Sequence, residues 1–136
     1  MFAARADHVQ RLIRPALDGG TWVVCDRFTD ATRAYQGGGK GVPAALIESL
    51  AEAAHPGLWP DLTLVFDCPF EVASARLAAL GRTMDRFERE DRAFFERVRS
   101  SYLEATSREP GRMRLIDASR PLEEVKVKVE ENIITI

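Results

Sequence analysis

The chain has 136 residues, 46% hydrophobic and 29% charged, with a formal net charge of −2. That balance predicts one soluble globular domain over residues 1–136, not a disordered or fibrous chain, and the near-neutral charge gives no footprint for a nucleic-acid polymer or an acidic membrane surface. No apolar stretch approaches the ~20 residues of a membrane span, and the start, Met1-Phe2-Ala3-Ala4-Arg5-Ala6-Asp7, lacks the pattern of a secretory signal, so the expectation is a cytoplasmic protein with Cys25 and Cys68 as reduced, buried thiols.

Residues 3–18 read as a helix, with Phe2, Ala6, Val9, Ile13 and Ala16 on one face. Pro15 removes a backbone donor near its end, and Gly19-Gly20 stops it. Trp22-Val23-Val24-Cys25 is a continuous apolar run of the kind that suits a strand covered on both faces of a parallel sheet. Residues 26–41 are polar and glycine-rich, with a helical portion expected over 30–36 and a mobile loop at Gly37-Gly38-Gly39-Lys40-Gly41. A helix follows over 43–55, with Pro43 in its first turn and Leu46, Ile47 and Leu50 on one side.

Leu62-Thr63-Leu64-Val65-Phe66 reads as a second buried strand, and Pro69 opens a helix through Leu80. A break over Gly81 to Asp85 precedes a long charged helix from about 87 to 106. Arg114-Leu115-Ile116 gives a third strand, and Pro121 opens a last helix through about 134. This alternation predicts an α/β fold with a doubly wound parallel sheet. Such domains ordinarily begin on a central strand, whereas this pattern begins on a helix, so a front strand is expected to be absent.

Open parallel sheets bind ligands beyond the carboxyl ends of their strands. The three expected strands end in Asp26, Asp67 and Asp117. Two readings stand for each: a ligand-facing carboxylate, or a cap that anchors the following turn. Asp26 differs because Arg27 follows it directly. Together they offer a metal- or hydroxyl-binding oxygen and a guanidinium fork for phosphate, with a surface salt bridge as the alternative. The triple glycine is not a phosphate-cradling loop. The pattern G-x-x-x-x-G-K-[ST] would need glycine where Ala34 stands and serine or threonine where Gly41 stands. Arg82 and Arg86 lie in Gly81-Arg82-Thr83-Met84-Asp85-Arg86, an arginine-bearing flap suited to neutralising charge in phosphoryl transfer. His8 and His55 have no partner at ligand spacing, so no metal role is expected of either.

These residues resemble the bacterial thymidylate kinase family. The resemblance is carried chiefly by Asp26-Arg27-Phe28-Thr29-Asp30-Ala31-Thr32-Arg33-Ala34-Tyr35-Gln36-Gly37-Gly38-Gly39-Lys40-Gly41. Phe2-Ala3-Ala4-Arg5, Pro60-Asp61-Leu62-Thr63-Leu64, Asp85-Arg86-Phe87-Glu88 and Ile116-Asp117-Ala118-Ser119 match in the same order. It implies the fold of the P-loop nucleoside-monophosphate kinases, incomplete at the amino terminus. It also implies transfer of the ATP γ-phosphate to dTMP, giving dTDP, with Mg2+, in a homodimer paired through residues 3–18 and 43–55.

By carry-over, Arg27 holds the acceptor phosphate and Asp26 lies near the metal or the sugar. Arg5 hydrogen-bonds the thymine, Phe2 reaches the base, and Thr32, Tyr35 and Gln36 border base and sugar. For Tyr35 a packed helix aromatic is the alternative. Arg82 and Arg86 belong to a lid over 81–86 that closes on ATP, and Asp117-Ala118-Ser119 lies near the adenine. The family carries its phosphate loop ahead of the point matching Met1. Without that motif the chain alone is expected to show little or no kinase activity and to self-associate. The rival reading is a non-catalytic fragment of the same fold that binds dTMP or a partner.

Overall fold

The computed structural model describes residues 1–80 and 88–135, with side chains given outside 88–91. The chain divides into two compact units, Met1–Trp59 and Pro60–Ile136.

In the amino-terminal unit a first helical run, α1, passes from Phe2–His8 through a π-helical stretch, Val9–Ile13, to Arg14–Asp18. Val9 and Ile13 are buried, as their spacing requires. A proline ring crowds the carbonyl four residues before it and donates no hydrogen bond. The wider turns of Val9–Ile13 lie just ahead of Pro15 and relieve that crowding. The helix ends where Gly20, at φ 74°, lets the Thr21 N–H reach the Ala16 carbonyl while its own N–H reaches that of Leu17, both at 2.9 Å.

The apolar run 22–25 is not a strand: Trp22 is 71% and Val24 96% exposed. Apolar content makes a strand only where a neighbouring backbone pairs with it, and among the described residues the sheet contains only two strands, both later in the chain. Cys25 is accordingly exposed, not buried, and Cys68 is partly exposed.

A second helical run, α2, passes from Thr29–Thr32 into π-helical Arg33–Gly39. The triple glycine therefore closes a helix and is not a loop. A side chain at Gly37 would come within 3.3 Å of Ile47 Cδ1, so glycine there lets α2 lie close to the third helix, α3, Ala44–Ala54. Ile47, Ala51 and Ala54 form the buried stripe of α3, which packs against α1.

In the carboxy-terminal unit β1, Thr63–Asp67, pairs in parallel with β2, Met113–Asp117, in the register Val65↔Leu115. The connection between them carries α4, Phe70–Ala79, and α5, Glu88–Arg108; α6, Leu122–Ile134, follows β2. Val65, Met113 and Ile116 are buried, and Val98 of α5 joins them in the core. Phe66 and Leu115 remain 55% and 46% exposed, so neither strand is enclosed on both faces as the apolar runs predict. Paired residues share a face, so Val65 and Met113 are buried on one face of the pair and Ile116 on the other, and each face is covered only in part. No helix among the described residues is long and apolar enough to cross a membrane.

Candidate functional site

Asp26 and Arg27 form a bend between residue 25 and α2, and both are exposed. Arg27 sits at φ 64°, a left-handed conformation uncommon outside glycine. Its guanidinium carbon lies 4.9 Å from the Tyr35 ring centroid, and Nη2 donates to the Tyr35 hydroxyl at 3.4 Å. Neither Asp26 nor Arg27 has an ion-pair partner among the described residues. An exposed cation–π contact is worth ~0.5–1 kcal/mol, whereas a hydrogen bond to a charged group contributes ~1.5–3 kcal/mol. The ring contact is thus weaker than a charged hydrogen bond to a phosphate would be. Tyr35 is a half-buried aromatic of α2 that supports the arginine.

Arg5 is organised differently. Nη1 donates to Thr29 Oγ and Thr32 Oγ, and Nη2 to the Phe28 carbonyl, each at 3.2 Å. The Phe2 and Phe28 ring centroids lie 5.0 and 5.2 Å from its guanidinium carbon. No carboxylate pairs with it among the described residues, and burial holds its pKa below the ordinary arginine value. A desolvated cation with aromatic walls and neutral acceptors suits an uncharged polar ligand edge, because an added carboxylate or phosphate is not needed to hold it in place. Gln36 is half-buried and its side chain has no hydrogen-bond partner among the described residues.

The structure thus brings Phe2, Arg5 and Thr32 into one contact set and Arg27 with Tyr35 into a second. Reasoning from the sequence missed Phe28, Thr29 and His55. His55 is 1% exposed, with Nε2 2.6 Å from Thr29 Oγ and Nδ1 2.9 Å from the Leu58 carbonyl oxygen. Its ring meets Phe28 at 4.7 Å and Trp59 at 5.5 Å between centroids. Arg33 lies over Trp59 at 4.3 Å and binds Glu48 through both carboxylate oxygens at 2.8 Å. That bond holds the Glu48 carboxyl below its usual range.

In the carboxy-terminal unit the strand-end aspartates are already engaged. Asp67 takes a two-pronged bond from Arg99 at 2.7 and 2.9 Å, which favours anchoring over ligand contact. Asp117 accepts from the Ser119 hydroxyl and backbone N–H and pairs with Arg120; the Ser119 hydroxyl is the chief cause that lowers its pKa. The Ala118 carbonyl accepts from Arg76 at 2.7 Å. Arg82 and Arg86, with the expected lid over 81–86, lie outside the described residues. Among the described residues no group of three His, Cys, Asp or Glu side chains could enclose a metal ion. Mg2+ is commonly held by one or two carboxylates with substrate phosphates and water, and the unpaired Asp26 carboxylate fits that smaller demand.

Comparison with known proteins gives a consistent picture. The thymidylate kinase family pattern matches residues 1–129. The chain is 54% identical over 133 residues to the thymidylate kinase of Bordetella pertussis, covering 98% of this chain and 64% of that protein. It is 53% identical over 136 residues to the thymidylate kinase of Cupriavidus metallidurans, covering 100% of this chain and 68% of that protein. Among solved structures, thymidylate kinase from Ehrlichia chaffeensis superposes with a TM-score of 0.76 at 26% identity, over 97% of this chain and 62% of that one. The α/β architecture with a parallel sheet agrees with the expected nucleoside-monophosphate kinase fold. The chain therefore spans about two thirds of the length of the relatives it matches.

Proposed function

The chain belongs to the thymidylate kinase family, and from that premise we propose that it carries the dTMP-binding half of an enzyme that moves the ATP γ-phosphate to dTMP, giving dTDP. An oxygen of the dTMP phosphate forms the new P–O bond as the bond to ADP breaks. The observation that supports this most is Arg27: exposed, unpaired with carboxylate among the described residues, and resting on Tyr35 beside Asp26. Its fork fits the two oxygens of a monophosphate. Arg5 addresses the thymine, with Phe2, Thr32, Tyr35 and Gln36 around base and sugar.

Asp26 is the carboxylate that would hold Mg2+, whose chemistry is to neutralise charge on the transferring phosphoryl group. Arg82 and Arg86 act over ATP by family carry-over, and Asp117, Ala118 and Ser119 lie near its adenine. In that role the Ser119–Asp117 turn shapes the backbone, since the Asp117 carboxylate is engaged within the turn. We assign the protein to the cytoplasm, in keeping with its two free thiols. Pairing as a homodimer through α1 and α3 is supported by the exposure of Leu12, Leu17, Leu46 and Leu50 on those helices.

The motif G-x-x-x-x-G-K-[ST] does not occur in these 136 residues. That favours a second reading of this polypeptide by itself: capture of dTMP with little turnover. Calorimetry with dTMP tests both readings. Wild-type chain binds dTMP, and Arg27→Ala weakens binding about 10- to 100-fold with an unchanged unfolding midpoint. Equal affinity in the two proteins removes the phosphate from Arg27. A coupled assay with ATP and Mg2+ then separates capture from turnover.

A further inference from the structure

His55 is held at both ring nitrogens, and the chemistry of its partners sets the direction of every proton. The Leu58 carbonyl oxygen can only accept, so Nδ1 carries the hydrogen. Nε2 then presents its lone pair, and the Thr29 hydroxyl donates to it across 2.6 Å. With its proton committed, the same hydroxyl can only accept from Arg5 Nη1, at 3.2 Å. The bonds run one way, from Arg5 through Thr29 and His55 to the Leu58 carbonyl. Thr29 is 0% exposed and His55 1%, so water does not substitute for either link.

Arg5 has five N–H groups. Three go to Thr29, Thr32 and the Phe28 carbonyl. The Nε–H and one Nη2–H find no acceptor among the described residues. We infer that His55 is a positioning residue: through Thr29, its neutral ring fixes the Arg5 guanidinium so that these two N–H groups face the ligand. This rests on the reading of Arg5 as the residue that meets the base.

A protonated His55 carries hydrogen on Nε2. The Thr29 hydroxyl proton then has to turn away from the ring and gives up its acceptor, and the imidazolium charge opposes that of Arg5 at the other end of the chain of bonds. The charged groups that act on His55 are Arg5 on α1 and Glu48 and Glu52 on α3, and the Asp30–Arg33 pair on α2 meets Glu48 in turn. Burial is the largest influence and favours the neutral ring, with Arg5 adding to it; the carbonyl bond and Glu52 oppose.

NMR on the ligand-free chain tests the coupling without dTMP. His55 should be the Nδ1–H tautomer, and the Arg5 Nε–H resonance should follow the His55 titration in wild type but not in Thr29→Val. An Arg5 resonance indifferent to His55 overturns the inference. Calorimetry with dTMP supplies the second arm. At about pH 8, where the ring is neutral, His55→Gln and Thr29→Val should each weaken binding about tenfold while remaining folded. In an Arg5→Ala background His55→Gln should add nothing. The advantage of wild type over His55→Gln should shrink as the pH falls through the His55 titration, which burial places below 6.5; dTMP's own ionisation cancels in that ratio. Folded His55→Gln and Thr29→Val that bind like wild type, while Arg5→Ala does not, sink the positioning role and leave the dTMP reading intact. Equal binding by wild type and Arg5→Ala sinks the base assignment instead, and the NMR arm still decides whether His55 governs Arg5.

Discussion

Arg5 and Arg27 in the amino-terminal unit rest on aromatic rings and neutral oxygens, with no carboxylate partner among the described residues. In the carboxy-terminal unit Arg92, Arg99 and Arg112 each meet a carboxylate, at 2.6, 2.7 and 2.7 Å. The residue type is the same and its use is opposite. An arginine whose counter-charge lies within the fold has its donors committed to holding elements together. One held by rings and hydroxyls keeps its full charge and spare N–H groups for something that arrives from outside. Arg33 shows that the rule follows the partner and not the unit: its bond to Glu48 makes it a brace between α2 and α3.

The comparison breaks if an arginine assigned to bracing proves to matter for ligand, or the reverse. The largest effect on stability is expected at Arg99, because the Arg99–Asp67 pair is only 28% and 17% exposed. Arg99→Ala strands the Asp67 carboxylate and should cost ~1–3 kcal/mol in urea unfolding, with dTMP affinity unchanged. A smaller effect belongs to His55. Its folded pKa lies below the ordinary 6.5, so as pH falls through 6.5 the unfolded chain takes a proton that the folded chain refuses. Stability should decline by about 1 kcal/mol per pH unit in that window, present in wild type and absent in His55→Gln. Above the window both states are neutral at this group and the term vanishes. The smallest effect is at Arg92, whose pair with Glu71 is exposed: Arg92→Ala should change unfolding by less than ~1 kcal/mol.

Residues that act through local spacing were readable in advance. The helices at 43–55, from Pro69 and from Pro121, and the strands at 62–66 and 114–116, lie where apolar period and proline placement put them. Arg27 and Tyr35 are each named through the family resemblance, but their contact with one another is not expected from the sequence. The run at 22–25 misled because apolar content reports what a strand needs and says nothing of whether a neighbour supplies it. Thr29 and His55 lie 26 positions apart, and nothing in their neighbourhoods marks either, so only the packing of α2 on α3 reveals their bond. The glycines at 37–39 read as a loop because their helix propensity is low; the close approach of Gly37 to Ile47 is a tertiary gain that offsets it.

The most direct test of the central claim is to titrate dTMP into isotope-labelled chain and follow amide and arginine side-chain resonances. Saturable shifts at Arg5, Arg27 and residues 29–36, with residues 63–67 and 113–117 undisturbed, are the predicted result. Shifts centred on Arg99 and Asp67, or no shifts at any dTMP concentration, would contradict it.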